Sequence, residues 1–153
     1  MCGVVGFFKG LDCAALKGAP IAHLMADTLT YRGPDDYGVW SDDRTGITLA
    51  HRRLSILDLS SAGHQPMVSR SDRYVIAFNG EIYNFLELRA ELENDGVTFK
   101  SHTDTEVILE LYAREGSKCL DKLNGMFAFA LWDKNKQELF IARDRLGKKP
   151  LYY

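Results

Sequence analysis

Neither charge sign dominates this sequence: nineteen Lys and Arg stand against twenty-one Asp and Glu, and no segment gathers one sign into a long run. That excludes a basic nucleic-acid arm or an acidic tail, and a small neutral or zwitterionic ligand fits best. Cysteine is scarce as well. Cys2, Cys13 and Cys119 are odd in number and scattered, so they spell neither a disulfide framework nor a zinc-ribbon pairing, and a reducing, intracellular setting is the default. Long apolar runs are missing. No stretch reaches transmembrane length, and Met1-Cys2-Gly3-Val4-Val5-Gly6 lacks the basic and apolar regions of a secretory signal, so a cytoplasmic protein without membrane association is expected. No internal repeat, low-complexity tract or interdomain linker interrupts the chain. His23, His51, His64 and His102 show no metal-ligand spacing such as H-E-x-x-H and read as turn or surface residues, so no metal site is expected. Gly3 and Gly6 flank only valines and fall short of a dinucleotide fingerprint, which argues against NAD.

What is present suits one globular domain: 153 residues, 46% hydrophobic and 26% charged, enough apolar content for a core of its own. Alternating or short apolar runs predict strands at Gly3 to Phe8, Ile47 to Ile56, Arg73 to Phe78, Met126 to Asp133 and Glu138 to Arg143, the last two as a hairpin. A first helix places Ile21, Leu24, Met25 and Leu29 on one face, which must pack on something flat. A second begins at the N-cap Asn84 with Glu87 three residues on, points Phe85, Leu88 and Leu92 to a core, and ends at Gly96. A third starts at the capping pair Thr103 and Glu106 and buries Val107, Ile108, Leu111 and Tyr112. A helical turn around Cys119 to Leu123 stops at Asn124-Gly125. Strands, then helices, then strands, without regular βαβ alternation, indicate an α+β fold with largely antiparallel sheet.

Candidate chemistry begins at Cys2. Most buried cysteines are small core hydrophobes, but removal of Met1 would place a thiol and a free α-amine on one residue. A free α-amine, with a reference pKa of about 7.7–8.0, is a usable base for its own thiol, so no separate His is required. Three loop-like segments combine Gly or Pro with more polar residues than a surface turn needs: Arg32-Gly33-Pro34-Asp35, His51-Arg52-Arg53-Leu54-Ser55-Ile56 and Asn79-Gly80-Glu81-Ile82-Tyr83-Asn84. Asn79-Gly80 after an apolar strand reads as a tight turn, or as two donors, the Asn79 amide and the Gly80 N–H, converging on an oxyanion. Arg53 is a solvated strand charge or the bidentate partner of a carboxylate, with Arg52 on the opposite face. Glu81 and Asp104 are helix-start acids or, near one Arg, half of a site for an α-amino acid.

The segments MCGVVGFF, RGPDDYG, HRRLSILDLS, HQPM, FNGEIYN, SHTDTEVIL, GMFAFALWD and RDRLGKKPLYY, in that order from Met1 to Tyr153, resemble the class II glutamine amidotransferase domain of asparagine synthetases. Amidophosphoribosyltransferases and glucosamine-phosphate synthases share the nucleophile, but RGPD and HRRLSI look more like the asparagine type. The resemblance implies a four-layer αββα sandwich of two antiparallel sheets, of the N-terminal-nucleophile (Ntn) hydrolase type, with Cys2 as nucleophile. It implies that Asn79 and Gly80 form the oxyanion hole and that Arg53 holds the glutamine α-carboxylate. Glu81 and Asp104 would bind the α-ammonium, with backbone help near Leu54 and Ile56, and Arg32 would organise the nucleophile's surroundings.

The implied reaction is hydrolysis of glutamine to glutamate and ammonia through a glutamyl thioester, without metal or organic cofactor in this domain. The ammonia would supply an ATP-dependent synthetase domain of the same full-length chain, where ATP and Mg are expected. The Ser-Gly-Gly-Leu-Asp-Ser-like loop of such a domain does not occur in residues 1–153, so the expectation is an amidotransferase domain truncated at its C-terminus. Two alternatives stay open: delivery of ammonia to another acceptor, such as a surface-polysaccharide sugar, and an inactive fragment that binds glutamine or a partner. A homodimer is compatible with the sequence, and Lys148 and Lys149 read as solvated.

Overall fold

The computed structural model describes residues 2–9 and 17–153; Met1 and Cys13 lie outside the described residues. Strands β1 (Gly3–Phe8), β2 (Asp36–Asp42) and β3 (Ile47–Arg53) form an antiparallel sheet in the order β1-β3-β2. Strands β4 (Met67–Val68), β5 (Tyr74–Ile82), β6 (Gly125–Asp133) and β7 (Glu138–Arg143) form a second in sequence order, also antiparallel throughout. Helix α1 (Gly18–Asp27) lies on the first sheet, α2 (Phe85–Asn94) and α3 (Asp104–Glu115) on the outer face of the second. The order is helix, sheet, sheet, helices, the α+β sandwich expected. Among the described residues, no helix is long and apolar enough to cross a membrane.

Period-2 alternation sorts each strand between two environments. On β3, Ile47 and Leu49 face the second sheet and join Val75, Ala77, Ala130 and Trp132 in an apolar cluster, with Val4 of β1 against it. Their neighbour Ala50 packs towards α1 with Ala22 and Ala26. On β5, Ile76, Phe78 and Ile82 point the other way, into the large core beneath α2 and α3 with Val107, Ile108, Leu111, Phe127 and Phe129. The space between the sheets is therefore lined by alternate residues of β1, β3 and β5. It is apolar at one end.

Several elements differ from the sequence expectation. The buried stripe of α1 is Gly18, Ala22 and Ala26, whereas Leu24 is 69% and Met25 37% exposed. The cause is close approach: a Cβ at Gly18 would collide with Thr48 Oγ1, so the helix seats its smallest residues against the sheet. Strand β5 runs on to Ile82, so Asn79 and Gly80 sit within the strand and not in a turn after it; β3 stops at Arg53, short of Ile56. Strands β2 and β4 carry no clear apolar period and were not anticipated. Asn84 does not cap α2 through its side chain, which instead donates to Lys122 O at 3.0 Å and accepts from Asn124 N at 3.0 Å. Thr103 does cap α3, accepting from Glu106 N at 3.2 Å, but the Glu106 carboxylate turns to the Lys100 and Ser101 amides.

The second-sheet core is centred on Phe129, which is almost fully buried and contacts the rings of Phe127 and Phe140. Phe129→Ala is expected to lower the unfolding free energy by about 3–5 kcal/mol through lost burial and a cavity. Urea denaturation measures it, and a loss below about 1 kcal/mol would show that the cluster collapses around the gap.

Candidate active site

Followed to the other end of the inter-sheet space, the same rows turn polar. On β3, Ile47 and Leu49 are succeeded by His51 and Arg53; on β5, Val75 and Ala77 are succeeded by Asn79 and Glu81. On β1, Val4 is preceded by Cys2, and since Gly3 pairs with Arg52 the register brings Cys2 beside Arg53. These rows open into a cleft enclosing about 650 Å³ including its mouth, and Cys2, Arg53, Leu54, Ile56, Asn79, Gly80, Glu81 and Asp104 all line it. Arg32 stands behind the lining. The structure thus brings together in one cleft every residue that the resemblance assigns to the site except Arg32, which lies behind it against the Cys2 carbonyl.

The Cys2 sulfur accepts from the Leu54 N–H at 3.4 Å and lies 3.8 Å from the Leu54 carbonyl oxygen. Arg32 Nε donates to the Cys2 carbonyl at 3.2 Å. The Arg32-Gly33-Pro34-Asp35 turn is held against the end of β3, where Asp35 N donates to Arg53 O at 3.0 Å and Asp35 Oδ2 accepts from Ser55 N at 2.8 Å. Gly33 is required there, because a Cβ would strike the Arg52 carbonyl. The turn therefore anchors both the Cys2 backbone and the strand end that presents Arg53.

Arg53 is buried, and its guanidinium donates to the Ser60 carbonyl at 3.2 Å, the Leu57 carbonyl at 3.0 Å and the Asp58 carbonyl. Residues 57–60 curl around it and Gly63 presses on it so closely that a Cβ would overlap Nη2. Asp58 ties this loop to the entrance of α3 by accepting from His102 N at 2.8 Å, a bond that, with those from Ser60, holds its carboxyl below the usual range. A guanidinium with five N–H donors, fixed this way, is a rigid cation facing the cleft.

Strand β5 supplies the opposite wall. Its partner β6 covers one edge for nine residues, Tyr74 to Ile82, but β4 covers the other only at Val75 and Ile76. The even-numbered residues direct N–H and C=O to this half-open edge, and side chains take over where β4 ends. Phe78 N donates to Gln65 Oε1 at 2.7 Å, and Ile82 N donates to Asp104 Oδ2 at 3.0 Å. Between these two anchors, by the same alternation, the Gly80 N–H faces the cleft. Gly80 is also pressed on β6, where a Cβ would strike the Met126 carbonyl and lie 2.7 Å from Phe127 Cα. Asn79 Oδ1 is buried and has no hydrogen-bond partner among the described residues. Burial pushes the Asp104 carboxyl up to about 6, and the nearby Glu81 charge adds to it, against the bonds from Ile82 and Thr105. Cation at one end, paired carboxylates at the other, and a thiol beside a backbone N–H make a cleft suited to a zwitterionic amino acid.

Further residues line or support the cleft that sequence reasoning passed over. His51, read as surface, is fully buried; burial lowers its pKa to about 4, so it is neutral, and its Nε2 donates to Phe78 O at 2.9 Å. The period-2 row that includes Ile47, Leu49 and Arg53 was the signal for its burial. Lys149, read as solvated, is only 4% exposed and lines the cleft. Its loop folds back because Asp144 accepts from Phe127 N at 3.2 Å, Lys148 N at 2.8 Å and Lys149 N at 2.9 Å. Lys148 remains exposed. Gln65, Thr103 and Thr105 also line it.

The raised Asp104 pKa carries a stability consequence. A carboxyl whose pKa moves from 3.8 unfolded to about 6 folded favours folding when protonated; that contribution is full below about pH 4 and is lost as pH rises through about 6. Asp104→Asn retains an acceptor for Ile82 N without the charge, so it should be more stable than wild type above pH 6 by roughly 1–3 kcal/mol. Denaturation at about pH 7.5 and pH 4 checks this; a variant less stable at the higher pH would contradict it.

Comparison with known proteins extends these observations. The family model described as "Glutamine amidotransferase domain" matches residues 1–153. Asparagine synthetase [glutamine-hydrolyzing] 3 of Bacillus subtilis is 43% identical over 155 residues, an alignment covering 100% of this chain and 25% of that protein. Asparagine synthetase B [glutamine-hydrolyzing] of Escherichia coli is 43% identical over 152 residues, covering 99% and 26%. The chain thus spans about a quarter of the length of these curated relatives. Among solved structures, the glutamine phosphoribosylpyrophosphate amidotransferase of B. subtilis, complexed with ADP and GMP, superposes with a TM-score of 0.76 at 20% identity, covering 94% of this chain and 37% of that one. The shared architecture is the sandwich of two antiparallel sheets between helical layers. In sequence over its whole length and in fold, the chain belongs to the glutamine amidotransferase domain family.

Proposed function

We propose that this domain hydrolyses glutamine to glutamate and ammonia with Cys2 as nucleophile, and that the ammonia serves an ATP-dependent asparagine synthetase active site in the same full-length chain. The observation that carries the reading is the convergence in one cleft of the Cys2 thiol, the Gly80 N–H, a fixed Arg53 cation and the Glu81 and Asp104 carboxylates. Arg53 takes the α-carboxylate and Glu81 with Asp104 takes the α-ammonium, which sets the side-chain amide over Cys2.

Removal of Met1 frees the Cys2 α-amine. That amine takes the thiol proton, and the thiolate attacks the glutamine Cδ. The carbonyl oxygen becomes an oxyanion held by the Gly80 N–H and the Asn79 side-chain amide. Collapse breaks the C–N bond, the α-ammonium returns its proton to the departing nitrogen, and ammonia leaves behind a γ-glutamyl thioester. Water, deprotonated by the same amine, attacks the thioester; the C–S bond breaks, glutamate departs and the thiol is restored. Thiol, amine and water carry out this chemistry without a metal or organic cofactor. ATP and Mg belong in this reading to the synthetase part, as do the acceptor and its activation. A reducing compartment, the cytoplasm, keeps the thiol available. The B. subtilis and E. coli relatives, named as glutamine-hydrolyzing asparagine synthetases, support asparagine as the product.

Intact-mass measurement should show the loss of Met1, and incubation with 6-diazo-5-oxo-norleucine should add one adduct at Cys2, abolished in Cys2→Ala together with glutamine hydrolysis. Retained Met1 with undiminished hydrolysis would refute the amine as base. The pH profile offers a separate check. Protonation of the α-amine lowers kcat/KM for glutamine already below about pH 7.7; as Asp104 of the free enzyme also protonates below about pH 6, the substrate ammonium loses a counter-charge and the fall should steepen by up to a further ~10-fold per pH unit. A slope that does not steepen between about pH 6 and pH 5 (about one unit below that point) would remove Asp104 from substrate binding.

A further inference from the structure

We propose that Gln65 is a positioning residue for the oxyanion donors: its side-chain amide fixes where the Gly80 N–H and the Asn79 side chain stand relative to the Asp104 end of the cleft. The proposal rests on the glutaminase reading of that cleft. Gly80 lies on β5, beyond the two residues that β4 pairs, and β6 restrains only the edge facing away from the substrate. A backbone N–H on an otherwise open strand edge is free to tilt towards water, and a misplacement of about 1 Å at a reacting centre can cost on the order of 100-fold in rate. The edge must be held from outside the sheet.

Gln65 holds it twice over. Its Oε1 accepts from Phe78 N at 2.7 Å, and its Nε2 donates to Thr105 Oγ1 at 3.3 Å, in the first turn of α3. Thr105 adjoins Asp104, whose Oδ2 accepts from Ile82 N at 3.0 Å. A closed circuit therefore runs from Phe78 through Gln65 and Thr105 to Asp104 and Ile82, and it brackets Gly80 on both sides. His51 completes the clamp on Phe78 by donating from Nε2 to its carbonyl at 2.9 Å. The role demands a side chain that accepts and donates at once at fixed length, and Gln65, buried and lining the cleft, does so. By coupling the strand edge to the terminus of α3, Gln65 sets the distance between the amide-cleaving and amine-binding ends of the site.

The test compares Gln65→Leu, Thr105→Val and the double variant in the protein freed of Met1. It measures kcat and KM for glutamine, and inhibition by glutamate γ-semialdehyde, whose aldehyde forms a thiohemiacetal with Cys2 that mimics the tetrahedral species, and by glutamate, which forms no such adduct. For Gln65→Leu, kcat should fall roughly 10–100-fold while KM changes by less than about threefold. Affinity for the semialdehyde should fall by the same factor as kcat, with glutamate affinity unchanged, a split that general loosening of the fold would not produce. Thr105→Val should show a smaller loss of the same kind and add little to Gln65→Leu, since both cut one circuit; it carries the test alone if Gln65→Leu does not fold. Equal weakening of both inhibitors, or an unchanged kcat, overturns the proposal. A wild-type protein without glutamine turnover overturns the glutaminase reading itself and this proposal with it.

Discussion

A strand paired along one whole edge and only briefly along the other is an unfinished structure, and β5 is such a strand. Each backbone group on its half-open edge must find a partner or remain exposed to the cleft. Gln65, His51 and Asp104 meet that demand at Phe78 and Ile82, and Gly80, between them, presents its N–H to the cleft. Much of the surrounding design follows from this constraint. It explains why a buried carboxylate is tolerated at the first residue of α3, and why a glutamine rather than an aliphatic side chain follows His64.

The second organising feature is the change of character along the inter-sheet space. Rows that begin as Ile47 and Leu49 or Val75 and Ala77 end as His51 and Arg53 or Asn79 and Glu81. The apolar end locks the two sheets in register, so the polar end inherits positions it does not have to stabilise. That matters because buried charge is costly. Arg53 is held by main-chain carbonyls of residues 57–60, and Asp104 carries its cost as a raised pKa. A zwitterionic ligand would compensate both charges.

The elements with strong local signals were legible in advance. Strands β1, β6 and β7 and helix α3 appear close to where alternation, apolar runs and the Thr103 cap place them. Those that depend on fit were not. Helix α1 has a more hydrophobic face in Leu24 and Met25, but the sheet admits only Gly18, Ala22 and Ala26 at such short range. His51 and Lys149 are polar residues that a sequence reading assigns to water, and they are buried because strand alternation and the Asp144-anchored loop carry them inward.

From the sequence alone came the residue types of the site, their grouping in ordered motifs, the α+β class and the family resemblance. These are local or cumulative properties, carried by identity and order along the chain. What only the tertiary structure decided is which polar atoms face one another: Cys2 beside Arg53 through the β1 and β3 register, the Leu54 N–H on the sulfur, and Gln65 bridging Phe78 to Thr105 across residues distant in sequence. Such pairings arise from sheet register and helix approach, which depend on contacts summed over the whole core and leave no mark at the residues they bring together.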